Sequence, residues 1–318
     1  MKIGVAGIGK MGAAVAARLI ETGHGVTVWN RTPDKARSIA GASVAATPAA
    51  LAQNVEAILS LLTDAAVLDA VYNGPSGLLD GDVAGKLFID MSTVLPATEI
   101  ALARAVRAKG AVFVECPVGG STGPARQGKL IGLLGADQAD AARARPILEQ
   151  LCRRIEHAGP VGSGAILKFA VNLPLMVYWQ ALGEALALAR SVAIPPERLM
   201  DLLSDTSGAA TVLKVRAPGI AEMLKGGDAG PVTFNVDGGI KDSINAGRSE
   251  DTRRRTAAGR TNARLLPGDQ ATSFGRRRNL GGFGLLGQAR SSLSPPSETE
   301  QLCPPSRLRK LLSLSMPL

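Results

Sequence analysis

Residues Lys2–Gly12 read K-I-G-V-A-G-I-G-K-M-G. The short apolar run predicts a buried β-strand, and the alanine-rich segment behind it predicts a helix over residues 10–22. Gly7, Gly9 and Gly12 join the two. This order suits a dinucleotide pyrophosphate, because the turn is tight, the backbone can approach the phosphates, and the helix N-terminus offers N–H groups and a partial positive charge. Alone, the pattern is weakly specific and needs supporting context.

The end of the second predicted strand, Val26–Trp29, bears on which dinucleotide would bind. In the fingerprint for such sites, an acidic residue at this point binds the ribose 2′-hydroxyl. This chain instead reads Asn30-Arg31-Thr32. A carboxylate would repel a 2′-phosphate, whereas a guanidinium and a hydroxyl would bind one, so the sequence favours NADP over NAD. The alternative is that Arg31 is a solvated turn residue.

Apolar runs alternate with helical patterns up to about residue 160. The runs are apolar on both faces, which is typical of a parallel sheet covered by helices. They lie at residues 56–62, 86–90, 111–115, 130–134 and 154–157. The pattern predicts an α/β fold with a doubly wound parallel sheet, a Rossmann domain, over residues 1–160.

Polar residues follow two of these strands at the edge where open α/β sheets bind ligands. Thr63 follows one strand and Thr93 the other, and the alternative is that Asp64 and Thr93 cap helices. The predicted cofactor contacts in this half of the chain are Gly7, Ile8, Gly9, Lys10, Met11, Gly12, Asn30, Arg31, Thr32, Leu62, Thr63 and Thr93.

Composition narrows the class of protein. Cys116, Cys152 and Cys303 have neither metal-ligand nor C-x-x-C spacing, which is typical of a reduced, cytoplasmic chain without a metal site. No uninterrupted apolar run reaches ~18 residues, so we expect no membrane-spanning segment. The formal charge is +9, but residues 1–242 carry 23 basic against 22 acidic residues, and the last 76 carry 13 against 5. This uneven distribution argues against nucleic-acid binding by the main part of the chain.

Two stretches further along the chain contain candidate substrate-binding and catalytic residues. The run P-V-G-G-S-T-G-P at residues 117–124 is too glycine-rich to predict regular structure, and its N–H groups and hydroxyls suit a carboxylate or other anion. Further on, Lys168 and Asn172 share one face of an apolar helix predicted to run to about residue 191. Apolar neighbours would desolvate the ammonium group and lower its pKa toward the working pH. The alternative is a snorkelling lysine.

Six segments occur in order along the chain: G-I-G-K-M-G, W-N-R-T, D-M-S-T, P-V-G-G-S-T-G, G-S-G-A-I-L-K-F-A-V-N and F-N-V-D-G-G-I-K-D. In order and spacing they resemble the β-hydroxyacid dehydrogenases, which include 3-hydroxyisobutyrate dehydrogenase, glyoxylate/succinic semialdehyde reductases, tartronate semialdehyde reductase and 6-phosphogluconate dehydrogenase. The resemblance covers residues 1 to about 242. It implies a Rossmann domain, a long interdomain helix, an all-helical second domain and, usually, a homo-oligomer.

The resemblance also implies residue roles. Lys168 matches the catalytic lysine, which donates a proton to the substrate oxygen in reduction and accepts it in oxidation while a hydride passes to or from carbon-4 of the nicotinamide. Asn172 matches a residue that holds the substrate, Thr93 a cofactor contact, and Lys241 a lysine near cofactor and substrate. Imine reductases share the architecture but usually replace the lysine, so Lys168 argues against that branch.

The glycine-rich run matches the family's substrate-carboxylate loop, which implies substrate contacts at Gly119, Gly120, Ser121 and Thr122. The family usually reads serine-glycine-glycine after Pro-Val, whereas this chain reads glycine-glycine-serine. Because the serine hydroxyl is shifted, the sequence indicates the type of reaction more firmly than the identity of the substrate. The expected substrate is a small hydroxyacid, or the corresponding oxo-acid or semialdehyde.

The resemblance stops after Asp242. Residues 243–318 are basic, contain two Pro-Pro pairs and sustain no helical period, which predicts a disordered basic tail after an incomplete helical substrate and oligomerisation domain, residues 161–242. We hypothesise a reading-frame shift near residue 243, because the neighbouring frame permits an amphipathic, helix-forming sequence. The alternative is an authentic basic tail that binds nucleic acid electrostatically. The alternative function for the whole chain is a non-catalytic cofactor-binding or nucleic-acid-associated protein, a degraded or repurposed dehydrogenase.

Overall fold

The structure is a computed structural model that describes residues 1–228. Strands and helices alternate through the first half, and helices alone follow the last strand of this range. The strands are β1 (Lys2–Ala6), β2 (Gly25–Trp29), β3 (Ser43–Val44), β4 (Ala57–Ser60), β5 (Leu87–Asp90), β6 (Val112–Glu115), β7 (Val118–Gly119), β8 (Leu130–Gly135) and β9 (Cys152–Gly159). The helices are α1 (Lys10–Glu21), α2 (Pro33–Arg37), α3 (Pro48–Gln53), α4 (Ala65–Asn73), α5 (Pro96–Ala108), α6 (Thr122–Arg126), α7 (Gln138–Leu151), α8 (Ser163–Leu188), α9 (Pro196–Ser204) and α10 (Thr211–Leu224).

These strands form a single sheet in the order β3-β2-β1-β4-β5-β6-β8-β7, with β9 beside β8. Pairing is parallel from β3 to β6 and again between β8 and β9, while β8 runs antiparallel to β6 and β7. The strand order reverses beside β1, where β2 lies on one side and β4 on the other. Ala6 pairs with Trp29 and with Ser60, so three strands end in line at this switch point, where open α/β sheets bind ligands.

Helices cover both faces of the sheet, and each face has its own apolar layer. One layer packs α1 and α7 against the strands through fully buried side chains such as Val15, Leu19 and Leu148. The other packs α3, α4 and α5 through side chains such as Tyr72, Phe88 and Val106. Burying each large apolar side chain contributes about 1.5–3 kcal/mol. The predicted α/β fold with a doubly wound sheet is confirmed.

Two local predictions need correction. The strand expected over residues 56–62 ends at Ser60, because Leu62 N–H donates to the Ser92 hydroxyl instead of continuing the ladder. The run at 117–124, expected to be irregular, forms the end strand β7 and the short helix α6. Regular structure survives there because Val118 and Gly119 pair with β8.

The long helix α8 leaves the sheet and enters a second apolar cluster. Its first turns lie against β8, β9 and α5. Its last turns place Leu182 and Leu186 against Met200 of α9 and Leu213 of α10. Predicted domain boundaries at residues 160 and 242 stay predictions, and Lys241 and the tail at 243–318 lie outside the described residues.

The segment Ser163–Ser191 bears on the expectation that no segment of the chain spans a membrane. Lys168 and Asn172 interrupt its apolar run, yet its mean hydropathy is 1.3 over an 18-residue window, of which 22% is buried. Within residues 1–228 it alone is long and apolar enough to cross a membrane, by length and composition only. The core helix of a soluble protein passes the same test, so this is weak support for a membrane span.

Candidate active site

The glycine turn has the geometry that its spacing predicts, with a different physical reason at each glycine. Gly7 has φ +96°, and a Cβ there would lie 2.4 Å from the carbonyl oxygen of Leu61. A Cβ on Gly12 would lie 1.9 Å from the carbonyl oxygen of Gly7, so only glycine lets α1 pack this closely on the turn. A Cβ on Gly9 would meet nothing within 4 Å. That open space is where a pyrophosphate would approach the backbone.

The N-terminus of α1 faces this open space with no acidic residue in its own cap or first turn. Its N-cap is Gly9, which offers no side-chain cap, and the first turn holds no acidic residue. Lys10 at the first helical position is exposed. The partial positive charge and N–H groups of this helix end are therefore suited to a phosphate.

Asn30 has a role at this site that sequence reasoning missed. Its Oδ1 accepts from Ile8 N–H at 3.0 Å, and its Nδ2 donates to the Thr32 carbonyl at 3.0 Å. It thus ties the glycine turn to the end of β2, while Arg31 and Thr32 beside it are exposed. The presence of an amide rather than an acid was visible in the sequence, but its partner 22 residues away was not.

The ends of β4 and β5 are joined by a buried hydrogen-bond network. Ser92 donates from its N–H (3.1 Å) and its hydroxyl (2.9 Å) to the Asp90 carboxylate, and the same hydroxyl accepts from Leu62 N–H at 2.9 Å. Ser60 bonds both Asp90 and, at 2.7 Å, the Tyr72 hydroxyl. This network fixes the segment that begins with the candidate contacts Leu62 and Thr63.

The two capping alternatives have different outcomes. Asp64 caps α4, because its side chain accepts from Val67 N–H at 3.0 Å. The cap predicted for Thr93 is wrong, since α5 begins later, with Leu95 as the N-cap and Pro96 as the first helical residue. Proline at that position sets the start of the helix by its fixed φ.

Three fully buried carboxyl groups lie beneath this edge of the sheet: Asp90, Glu99 and Glu115. Burial raises the pKa of each of them, and the charges of Asp90 and Glu115 raise the pKa of Glu99 further. The pKa of Glu115 rises to about 7, although backbone N–H groups at the start of α8 act in the opposite direction. In residues 1–228 no group of three or more His, Cys, Asp or Glu side chains is arranged to hold a metal ion.

These carboxyl groups predict a pH dependence of stability. A carboxyl whose pKa is raised by folding stabilises the protein fully below its unfolded value and loses that contribution as pH rises through its folded value. For Glu115 the window runs from 4.5 to about 7, which corresponds to on the order of 3 kcal/mol. We expect the free energy of unfolding in urea to fall between about pH 4.5 and about pH 7, and less steeply in Glu115→Gln. Stability that rises across this range would contradict the assignment.

The glycine-rich loop at residues 117–124 holds a buried hydroxyl near α1, the helix that follows the glycine turn. Gly120 has φ +123°, and the loop continues into α6, which packs on α1. Ser121 is 4% exposed, and its Oγ has no hydrogen-bond partner among the described residues. A buried hydroxyl without a partner is costly, so its position fits a polar group supplied by a ligand. Thr122 next to it is half-buried.

Lys168 and Asn172 lie on one face of α8, as predicted, and both are half-buried. The start of this helix packs against β8, and β7, which leads into the glycine-rich loop, pairs with the same strand. The structure therefore places the loop and the first turns of α8 around β8.

Comparison with known proteins agrees with this arrangement. Residues 2–159 match the protein family described as the NAD binding domain of 6-phosphogluconate dehydrogenase. Glyoxylate/succinic semialdehyde reductase 1 from Arabidopsis thaliana is 36% identical over 205 residues, which cover 64% of this chain and 71% of that protein. The chain belongs to the β-hydroxyacid dehydrogenase family. The 3-hydroxyisobutyrate dehydrogenase of Pseudomonas aeruginosa, 35% identical over 215 residues, covers 67% of the chain and 72% of its own length.

A solved structure of similar fold is Psf3 in complex with NADP+ and 2-OPP, with a TM-score of 0.70 and 25% identity over 86% of this chain and 89% of that one. As a β-hydroxyacid dehydrogenase, the protein is an NAD(P)-dependent oxidoreductase that acts on hydroxyacids. The family, the Rossmann sheet and the class of enzyme that the sequence predicted are all confirmed.

Proposed function

We propose that this dehydrogenase prefers NADP and interconverts a small hydroxyacid with its oxo-acid or semialdehyde, with Lys168 as the general acid and base. The observation that carries the proposal is the Lys168–Asn172 face of α8, whose helix begins at the same sheet that bears the glycine turn. Pseudomonas 3-hydroxyisobutyrate dehydrogenase and Arabidopsis glyoxylate/succinic semialdehyde reductase support the substrate class by their names.

The chemistry follows from where these side chains stand. When bound, the nicotinamide supplies or accepts the hydride. Lys168 in its ammonium form donates a proton to the substrate oxygen in reduction and takes it back from the hydroxyl in oxidation. Asn172, one helical turn further on, holds the substrate against the lysine. The hydroxyl of Ser121, which has no partner among the described residues, and the N–H group of Gly120 bind the carboxylate of the substrate.

The preference for NADP rests on the residues that follow β2. Asn30 stands where the fingerprint for NAD carries an acid. The side chains of Arg31 and Thr32 that follow it are exposed, which supports contact with a 2′-phosphate. Psf3, a relative in fold at 25% identity, was solved with NADP+. These observations support the proposal for this chain.

Arg31→Asp is expected to shift the preference toward NADH. The substitution removes a charge-assisted hydrogen bond to phosphate, worth about 1.5–3 kcal/mol, so kcat/KM with NADPH should fall by about 10- to 100-fold relative to NADH. Steady-state kinetics with both cofactors measure the ratio. Lys109→Asp, the same charge reversal at an exposed residue that follows α5 and precedes β6, at the opposite edge of the sheet, is the matched control and should leave the ratio unchanged. An unaltered ratio in Arg31→Asp would remove Arg31 from the site.

The remaining sequence hypotheses concern residues outside the described range. Sequencing the gene tests the proposed frame shift near residue 243, and salt-dependent DNA binding tests the alternative of a nucleic-acid-associated tail.

We also propose a cytoplasmic, reducing environment, which the buried free thiols of Cys116 and Cys152 support. A homo-oligomer is proposed from the family resemblance, and its measurement is the mass of the purified protein in solution.

A further inference from the structure

The side chain of Glu115 links the central sheet to the start of α8. Glu115 ends β6 and is fully buried. Its Oε1 accepts from the N–H groups of Gly162 at 2.6 Å and Gly164 at 2.7 Å, 47 and 49 residues further along the chain. A carboxylate that accepts two short bonds from a helix start performs the function of an N-cap, although it belongs to a distant strand.

The helix has no cap of its own. Its N-cap residue is Gly162, with φ +102° and no side-chain hydrogen bond, and its first turn carries no acidic residue. The N–H groups in the first turn of a buried helix have no partner within the helix, so they need other hydrogen-bond acceptors. In α8 the acceptor comes from β6.

Glycines shape the space that Glu115 occupies. A Cβ on Gly135 would lie 2.1 Å from Glu115 Oε1, and a Cβ on Gly164 would lie 2.3 Å from the carbonyl oxygen of Leu133. Larger residues at either position would displace the carboxylate or lift α8 away from β8. The close approach of helix, strand and carboxylate therefore depends on these two glycines.

We propose that Glu115 is a positioning residue for the reaction: by holding the first turn of α8 against the sheet, it sets the place of Lys168 one turn further along. The proposal rests on the proposed role of Lys168. Gly164 and Lys168 are four residues apart, about one turn of an α-helix. A change at the bonded turn is transmitted directly to the lysine because the helix between them is continuous.

The negative charge on Glu115 contributes to its positioning role. The carboxyl faces Asp90 from β5, Glu99 from α5, the thiol of Cys116 on its own segment, and the N–H groups of Gly162, Gly164 and Ala165. Burial raises its pKa to about 7 and the N–H groups oppose that rise. The ionised form binds the positive end of α8 more strongly than the neutral form, so glutamine, which keeps an acceptor oxygen but no charge, separates the two contributions.

The test compares Glu115→Ala and Glu115→Gln in the full-length protein, with Glu99→Gln as the matched control. Glu99→Gln removes a carboxyl from the same buried group, while Glu115 is the residue that accepts from Gly162 and Gly164 at the start of α8. In Glu115→Ala we expect hydrogen exchange of the amides of residues 162–168 to accelerate at least about tenfold. We expect kcat to fall by about 10- to 100-fold, because displacement of a reacting group by about 1 Å costs this much. NADPH affinity should stay within about twofold.

If ionised Glu115 positions α8, kcat of the wild type should rise in a step near pH 7, where this carboxyl loses its proton. Glu115→Gln is expected to keep slow exchange at residues 162–168 and to lose that step. Glu99→Gln should leave both the exchange and that step in place. Should Glu115→Ala not fold, Glu115→Gln alone decides: a wild-type kcat–pH profile would overturn the positioning role.

Lys168→Ala, measured in parallel, separates this inference from the proposed function. Loss of turnover in Lys168→Ala together with wild-type kcat in Glu115→Ala would overturn the role of Glu115 alone. Full turnover in Lys168→Ala would overturn the proposed function, and with it the presentation of Lys168 by Glu115. Accelerated exchange with reduced kcat in Glu115→Ala, beside an inactive Lys168→Ala, supports both.

Discussion

Lys168→Ala is expected to lower kcat by about 10²- to 10⁴-fold, the range that a positioned proton donor contributes. Methyl in place of ammonium leaves the substrate oxygen without its proton in reduction, whereas the glycine turn that would hold the cofactor is untouched. NADPH affinity should therefore remain within about twofold. Stopped-flow turnover with glyoxylate, succinic semialdehyde and tartronate semialdehyde, alongside NADPH fluorescence titration, measures the two quantities separately.

Lys168→Arg is the matched variant for this experiment. Guanidinium keeps the positive charge and the hydrogen-bond donors, but its pKa is too high for it to give up a proton near neutral pH. Turnover should stay low although substrate affinity is largely kept. Activity close to wild type in either variant would show that another group transfers the proton.

Gly12→Ala is expected to weaken cofactor binding and to destabilise the fold. The new Cβ would meet the carbonyl oxygen of Gly7 at 1.9 Å, and because both atoms belong to tightly packed elements, α1 must move away from the turn. Overpacking of this kind costs about 1–3 kcal/mol. Urea unfolding should register that loss, and NADPH titration should show affinity reduced by at least about tenfold, since the displaced helix N-terminus no longer faces the phosphates.

Gly9→Ala separates the two effects of Gly12→Ala. A Cβ at Gly9 meets nothing within 4 Å of the protein, so stability should stay within about 0.5 kcal/mol of wild type. The methyl group would stand in the space where the pyrophosphate approaches, and NADPH affinity should fall. Undiminished affinity in Gly9→Ala would place the phosphates elsewhere.

Much of the sheet could be predicted because its strands are apolar on both faces and its helices have a clear period. Leu87–Asp90 and Val112–Glu115 differ from the predicted runs by one residue. The short strand Ser43–Val44 was missed, since both of its residues are exposed and no apolar signal marks them. Thr122–Arg126 was missed because its glycine and proline are unfavourable in helices, and the packing of this turn on α1 is not visible in the sequence.

In the candidate site, too, the features that could be predicted depend on local sequence, and those that could not depend on contacts between distant segments. The glycine turn is a local motif, and spacing alone predicted the reason for each glycine. Hydrogen bonds such as that from Leu62 N–H to Ser92, 30 residues apart, depend on which strands become neighbours, and sequence reasoning could not place them. The cap formed by Glu115 was hidden for the same reason, because its partners lie 47 and 49 residues away.

Asn30 limits how this enzyme can change cofactor during evolution. The residue that stands at the specificity position also holds Ile8 N–H, so most replacements there would loosen the turn while altering selectivity. Aspartate is the isosteric exception: it keeps an acceptor for Ile8, gains the charge that excludes a 2′-phosphate, and gives up only the bond to the Thr32 carbonyl. Exchange of amide for acid at this side chain therefore changes the charge at the site while the bond that holds the glycine turn is kept.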